Sequence, residues 1–285
     1  MSAFVESVLR GLLAGGPYAL VGVGFALTYG VTGVVQLAHG ELVTLGAFTA
    51  ALLLSLLHLD PLLSALAAAP SLFVVGALVH RLALRRLPRA RPELALLATG
   101  GLALVVAGLT ALARDLGAPA PGRSPTSLEL LGTGIPRPLA VGFAAALLIA
   151  GAVHLFLRRT DLGRAVRATA QDAEAAQLLG VDVQLTATVA VGLAAALAGT
   201  AGALLAGTHV VTPASGMGFT ARALAVLLLA RPGSVPGGVV AGLAVGLLEG
   251  VASGLAPETA AGEVAVLALV LSLLLLRPAR VAAEA

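Results

Sequence analysis

Apolar residues in this chain come in long runs rather than in alternation. Runs of about 17–25 residues are long enough to cross a bilayer as helices. They recur at roughly 9–30, 34–57, 61–80, 94–113, 139–157 and 183–209. The first contains Gly16 and Pro17, which predict a kink or an opening into a half-helix. The second carries His39 and Glu41 inside it. Residues 114–138 are rich in Pro, Gly and Ser and read as a loop with one short helix. After the turn at 212–216 come two shorter apolar pieces, 219–230 and 235–250, flanking Arg231 to Ser234. Each is short for one crossing and together they are long for one, the pattern of discontinuous or re-entrant helices. A last run, 264–276, stops at Arg277 and Pro278. The expected fold is all-α: a polytopic transmembrane helical bundle of about 8–9 membrane segments, forming a single integral-membrane domain over residues 1–285.

One stretch interrupts this pattern. Thr160 to Val181 is the longest polar run, with charges of both signs and good helix formers. It is expected to form a helix held in water between two spans. Asp172 suits a helix N-cap, Glu174 suits the positive end of the helix dipole, and Gly180 suits a left-handed C-cap. Ala173 and Ala176 leave one side smooth, beside Leu178 and Leu179. Two readings fit: a helix that docks in a groove on a partner, or a solvated connector.

The basic residues set orientation. All 17 are arginine. Placing Arg81–Arg91, Arg158–Arg167, Arg231, Arg277 and Arg280 on one side gathers 12 of them there. Arg10, Arg114, Arg123, Arg137 and Arg222 lie on the other side. The positive-inside rule makes the richer side cytoplasmic, so the N-terminus lies outside and the C-terminus inside. The pieces 219–230 and 235–250 must then leave and return. The first residues lack the positive region of a signal peptide, so the first apolar run is expected to remain as a span.

Composition agrees with the membrane reading. Hydrophobic residues make up 59% and charged residues 11%, against about a quarter charged in soluble domains. Tryptophan is absent and aromatics are few, so aromatic belts are thin. Alanine and glycine favour close helix approach. With no lysine, a Walker A loop is excluded. With no cysteine, disulfides, thiolate nucleophiles and Cys-ligated metals are excluded. The basic balance shows no stripe interleaved with aromatics, which argues against nucleic acid as a partner. No Ser/His/Asp, HExxH or phosphate-loop pattern is visible.

Intramembrane ionisable groups are costly and mark candidate sites. His39 and Glu41 either line a translocation path or are satisfied locally, His39 by a neighbouring carbonyl and Glu41 by snorkelling or an arginine. Glu249 is the other acid in an apolar run, suited to a cap or an inter-helix hydrogen bond. His58, His80, His154 and His209 fall near span ends and read as interfacial. Pro213, Gly216 and Arg222 sit near the outer mouth, where a docked binding protein or a plain turn explains them.

The motif Glu174-Ala175-Ala176 with Gly180 four residues on is similar to the EAA loop of ABC-importer permeases. The wider stretch from Thr160 resembles the branched-chain amino acid (LivH-type) permeases. So do Tyr18-Ala19-Leu20 with Gly24 and Tyr29-Gly30, Ala38-His39-Gly40-Glu41, the arginine loop from Arg81, Pro232–Gly238 and Gly246–Glu249. Three places depart from the family pattern. Gln36 and Leu37 stand for its asparagine and phenylalanine, Ala230-Arg231 for its double glycine, and Ala279-Arg280 for its glycine-leucine ending. The resemblance implies a coupling surface of Gly163, Arg164, Arg167, Asp172, Glu174, Ala175, Ala176, Leu179 and Gly180 resting on an ATPase subunit. Tyr29, Gln36, His39, Glu41 and Glu249 are the candidate path residues. It implies a transport subunit and not an enzyme, with ATP and magnesium on partner ATPases and no cofactor or metal on this chain. Further partners are a LivM-type second permease, an extracytoplasmic substrate-binding protein and membrane lipid. The implied location is the bacterial inner membrane. The cargo is a branched-chain or related apolar amino acid; urea, short amides or other amino acids remain alternatives, as does an ion-coupled transporter without ATPase.

Overall fold

The computed structural model describes residues 2–58, 61–86, 92–119, 127–130, 133–208, 211–230, 234–256 and 259–276. Arg89, Arg91, Arg123, His209, Arg231, Arg277 and Arg280 lie outside them. Among the described residues, seven helices are long and apolar enough to cross a membrane. They are α1 (Ser2–Thr32), α2 (His39–Leu57), α3 (Pro61–Leu82), α4 (Pro92–Asp115), α5 (Arg137–Arg159), α8 (Val183–Ala206) and α10 (Val235–Leu255). Two apolar helices are shorter, α9 (Gly216–Leu229) and α11 (Ala261–Leu276). The polar segment holds α6 (Asp161–Gln171) and α7 (Ala173–Leu178), and a single 3-10 turn, Leu84–Arg86, follows α3. The chain is an all-α, multi-pass membrane protein.

Helices α1 and α8 form the interior. Tyr18, Leu20, Phe25, Ala194, Ala198 and Leu205 on them are almost wholly buried. Helices α3, α4 and α5 lie outside and turn leucines outward, among them Leu97, Leu104 and Leu148. Such leucines suit lipid, where exposure carries no hydrophobic cost.

Glycine sets the packing. Along α10, Gly238, Gly242, Gly246, Gly250 and Gly254 repeat every four residues and face one side of α1. A Cβ on Gly238 would meet Val23, on Gly242 Ala19, on Gly246 Gly15, on Gly250 Gly11, and on Gly254 Phe4. The two helices therefore run antiparallel, with backbones as close as their atoms allow. Without a hydrophobic drive in lipid, such dispersion contact is the main source of helix association. The same device recurs where Gly46 of α2 meets Gly199 of α8, and where Gly76 of α3 meets Val191 and Ala195. His80 is buried at the end of α3. Its Nδ1 is 2.9 Å from Thr188 Oγ1 on α8.

The structure corrects four expectations. First, α1 continues through Pro17 as one helix of 31 residues and does not open into a half-helix. Close neighbours on both sides, Leu243 at Gly15 and Phe143 at Gly16, hold the turn that proline leaves without an N–H bond. Second, among the described residues between α4 and α5 there is a β-hairpin and no short helix. Strand β1 (Ser127–Leu130) pairs antiparallel with β2 (Thr133–Pro136), Leu130 opposite Thr133. Third, α10 extends to Leu255, and its 21 residues suffice for a full crossing. Helices α9 and α10 lie antiparallel: Val226 and Gly238 are beside Gly22 and Val23, while Arg222 reaches back to Glu249. The pair does leave and return. Fourth, the second span is not helical from Val34. Residues 33–38 are irregular, and α2 begins only at His39.

Candidate functional site

The polar segment is built as two short helices with fixed ends, not one. Thr160 closes α5 by donating to the Phe156 carbonyl (2.8 Å) and opens α6 by accepting from Gly163 N (3.0 Å). Gly163 is required there, since a Cβ would meet the Phe156 carbonyl and Leu157 Cα. On α6, Gly163, Val166 and Thr169 turn inward, while Asp161, Arg164 and Arg167 face out. Arg164 pairs with Asp161.

Asp172 is extended (φ −156°, ψ 105°) and breaks the helix. Its carboxylate accepts from Glu174 N and Ala175 N, both at 2.9 Å, and so caps α7. Gly180 has φ +85°, in the left-handed region. Gly180 N donates to Gln177 O and Val181 N to Ala176 O, both at 3.0 Å. This pair of bonds is the Schellman ending that favours glycine. Asp182 then caps α8 through Gln184 N and Leu185 N. A six-residue helix has little stability of its own, so these caps define it.

Ala176 faces inward and is buried, not part of a smooth outer side. The outward surface carries Glu174 and Ala175, then Leu178 at 90% and Leu179 at 85% exposure. Behind it, α6 reaches the end of α1, where Ala170 lies next to Gly30. Thus α7 is joined through α6 and α8 to the two central helices.

The candidate path residues fall in two places. Tyr29 is half-buried in the last turn of α1, and its carbonyl accepts from Gly33 N at 2.8 Å. Gly33 has φ +69° and turns the chain back. His39 Nε2 then lies 3.0 Å from the carbonyl of Val21. From Thr32 back to Val21 is roughly 16 Å along a helix. Residues 33–38 therefore climb back beside α1, and α2 starts deep within the bundle. Irregular backbone at that depth must be satisfied by protein or a wet cavity. Thr220 of α9 does so: its hydroxyl accepts from Gly40 N and lies 3.1 Å from the Leu37 carbonyl. Gln36 is buried with neither amide atom bonded among the described residues, and Glu41 is buried against Gly216, the first residue of α9. Two helix starts, α2 and α9, thus meet at Glu41, where a carboxylate is favoured.

Glu249 lies elsewhere, near the far end of α10. It pairs with Arg222, which is buried between α9 and α10 rather than placed at a mouth. Nε donates to Oε2 at 3.0 Å and Nη2 to Oε1 at 2.5 Å. The guanidinium also donates to the Gly218 carbonyl and stacks over Tyr18 at 5.3 Å. The sequence held a signal for this pair: opposite charges in neighbouring apolar helices are affordable mainly together. It held none for Thr220.

Comparison with known proteins agrees with the membrane architecture. The chain is 30% identical over 249 residues to the high-affinity branched-chain amino acid transport system permease protein BraD of Pseudomonas aeruginosa, covering 81% of this chain and 80% of that one. It is 27% identical to LivH of Escherichia coli K12 over the same shares. It is 32% identical to a probable LivH of Methanocaldococcus jannaschii, over 69% of this chain and 64% of that one. Residues 7–276 match the family described as branched-chain amino acid transport system / permease component, and the chain belongs to that family.

Proposed function

We propose that this chain is the membrane-spanning permease subunit of an ATP-driven importer for branched-chain or related apolar amino acids. The observation that carries this is α7: a capped stub whose two leucines stand almost fully exposed. Burying both on a partner would contribute about 1.5–3 kcal/mol each, and α6 and α8 offer a route from that contact to the core. In this reading the partner is an ABC ATPase subunit carrying ATP and magnesium. Gly163, Arg164, Arg167, Asp172, Glu174, Ala175, Ala176, Leu179 and Gly180 form or support the contact. Closure of the ATPase dimer pushes α7, and the bundle rocks to alternate access around α1 and α8.

The family supports two permease subunits, the second LivM-type, and an extracytoplasmic binding protein. A bacterial inner-membrane location belongs to this reading, and the arginine distribution supports its orientation, with α6 and α7 cytoplasmic, the N-terminus outside and the C-terminus inside. The irregular entry to α2, with Gln36, His39 and Glu41, is the segment on which the path residues are proposed; Tyr29 stands at its inner end. The test is deletion of Glu174–Gly180 in the reconstituted complex. Substrate-stimulated ATPase activity and leucine uptake are expected to be lost while membrane insertion persists. Retention of stimulated ATPase activity would refute the coupling role.

A further inference from the structure

Helix α3 presents two unlike faces. Leu72, Gly76 and His80 are buried at every fourth position. Leu72 lies against Gly199 of α8, Gly76 against Val191 and Ala195, and His80 against Thr188. The opposite face exposes Val74, Leu78 and Leu82, a stripe roughly 12 Å long. Arg81, two turns beyond Val74, continues that stripe. Arg85 and Arg86 follow on the 3-10 turn, and all three arginines are exposed. Thr188 stands in the second turn of α8, so these arginines lie at the α7 end of the bundle. We propose that this end of α3 binds an anionic phospholipid, with an acyl chain along Val74, Leu78 and Leu82 and the phosphate on Arg81, Arg85 and Arg86. The site does not depend on which cargo the permease carries.

The charges here are uncompensated. Among the described residues, none of the three arginines forms an ion pair. The turn that carries two of them is closed. Ala83 N donates to the Val79 carbonyl at 3.0 Å and Arg86 N to the Ala83 carbonyl at 3.1 Å, while Leu84 is buried. Arginine clusters directly beyond a membrane-spanning helix attract anionic headgroups, and a guanidinium can hold a phosphate at two points. A phosphatidylglycerol headgroup carries a net negative charge. A phosphatidylcholine headgroup brings its own cation beside the phosphate, so the arginines repel it as well as attract it. The apolar stripe that leads up to the charges fits an amphiphile better than a soluble acidic protein.

The chain has no cysteine, so Leu82→Cys takes a single fluorophore before the permease is assembled with its partner subunits. The complex is reconstituted in phosphatidylcholine vesicles. Quenching by spin-labelled phosphatidylglycerol is compared with quenching by spin-labelled phosphatidylcholine at equal mole fraction. Phosphatidylglycerol is expected to be favoured at this position by at least about fivefold, the effect of one arginine near an anionic surface. Arg81→Gln, Arg85→Gln and Arg86→Gln together are expected to bring the preference below about twofold. All three side chains are exposed, so the unfolding temperature in detergent should not change. If the triple variant fails to assemble, Arg85→Gln alone is expected to cut the preference at least about twofold. A preference below about twofold with the arginines intact overturns the proposal, as does a preference that survives the glutamine substitutions. A fluorophore that neither lipid quenches overturns it too, and places a protein partner on this face.

Discussion

Arg222 and Glu249 meet at two points, at 3.0 and 2.5 Å, and fasten α9 to α10 inside the apolar bundle. The pair connects the short helix, too brief to cross alone, to one that can. Breaking such a buried pair from one side leaves an uncompensated charge, at about 3–5 kcal/mol. We expect Arg222→Met and Glu249→Leu each to lower the melting temperature of the purified permease. The double substitution is expected to recover much of the loss, because no charge is stranded. Strict additivity of the two losses in a double-mutant cycle would show that the residues are not coupled.

The ladder of α10 against α1 makes a second prediction. Gly246 faces the backbone of Gly11 and Gly15, where no flexible side chain can yield. Gly246→Val should therefore force the helices apart, at about 1–3 kcal/mol or more. Gly108 in α4 has open space around it, and Gly108→Val should leave the unfolding temperature within error. Thermal unfolding in detergent compares the two directly. Equal tolerance at both positions would mean that the close approach is not needed.

A third prediction concerns α7. Leu178 and Leu179 are almost fully exposed, so Leu178→Ser with Leu179→Ser should leave the melting temperature of the isolated permease unchanged. The same change should reduce copurification of the ATPase subunit. Asp172→Ala removes the N-cap, worth about 1 kcal/mol, and should weaken capture less than the leucine change does. Full ATPase recovery with the double serine variant would contradict α7 as the contact.

Much of this was readable from the chain because lipid imposes a coarse code. The long apolar runs became helices apart from residues 33–38, and the polar stretch became two short helices, α7 capped at Asp172 and Gly180, since those residues act locally. The non-local features were hidden. Residues 33–38 are as apolar as a span and read as one, yet Gly33 turns them back and Thr220, far away in sequence, satisfies their backbone. The Arg222–Glu249 pair also needed the register between α9 and α10. Ser127–Pro136 forms a hairpin because its two strands pair with each other, a signal that Pro and Gly content alone did not reveal. Among the candidate residues, the structure groups Gln36, His39 and Glu41 at the start of α2, leaves Tyr29 at the end of α1, and sets Glu249 in a different part of the bundle.

The absence of cysteine from the sequence allows one clean measurement of the central claim. A single Leu178→Cys substitution provides the only thiol on the chain. In inside-out vesicles stripped of ATPase, a membrane-impermeant maleimide should label it rapidly. Rebinding the ATPase subunit should protect it, and reagent applied to intact cells should not reach it. Labelling from outside intact cells, or equal labelling with and without the ATPase, would contradict the account.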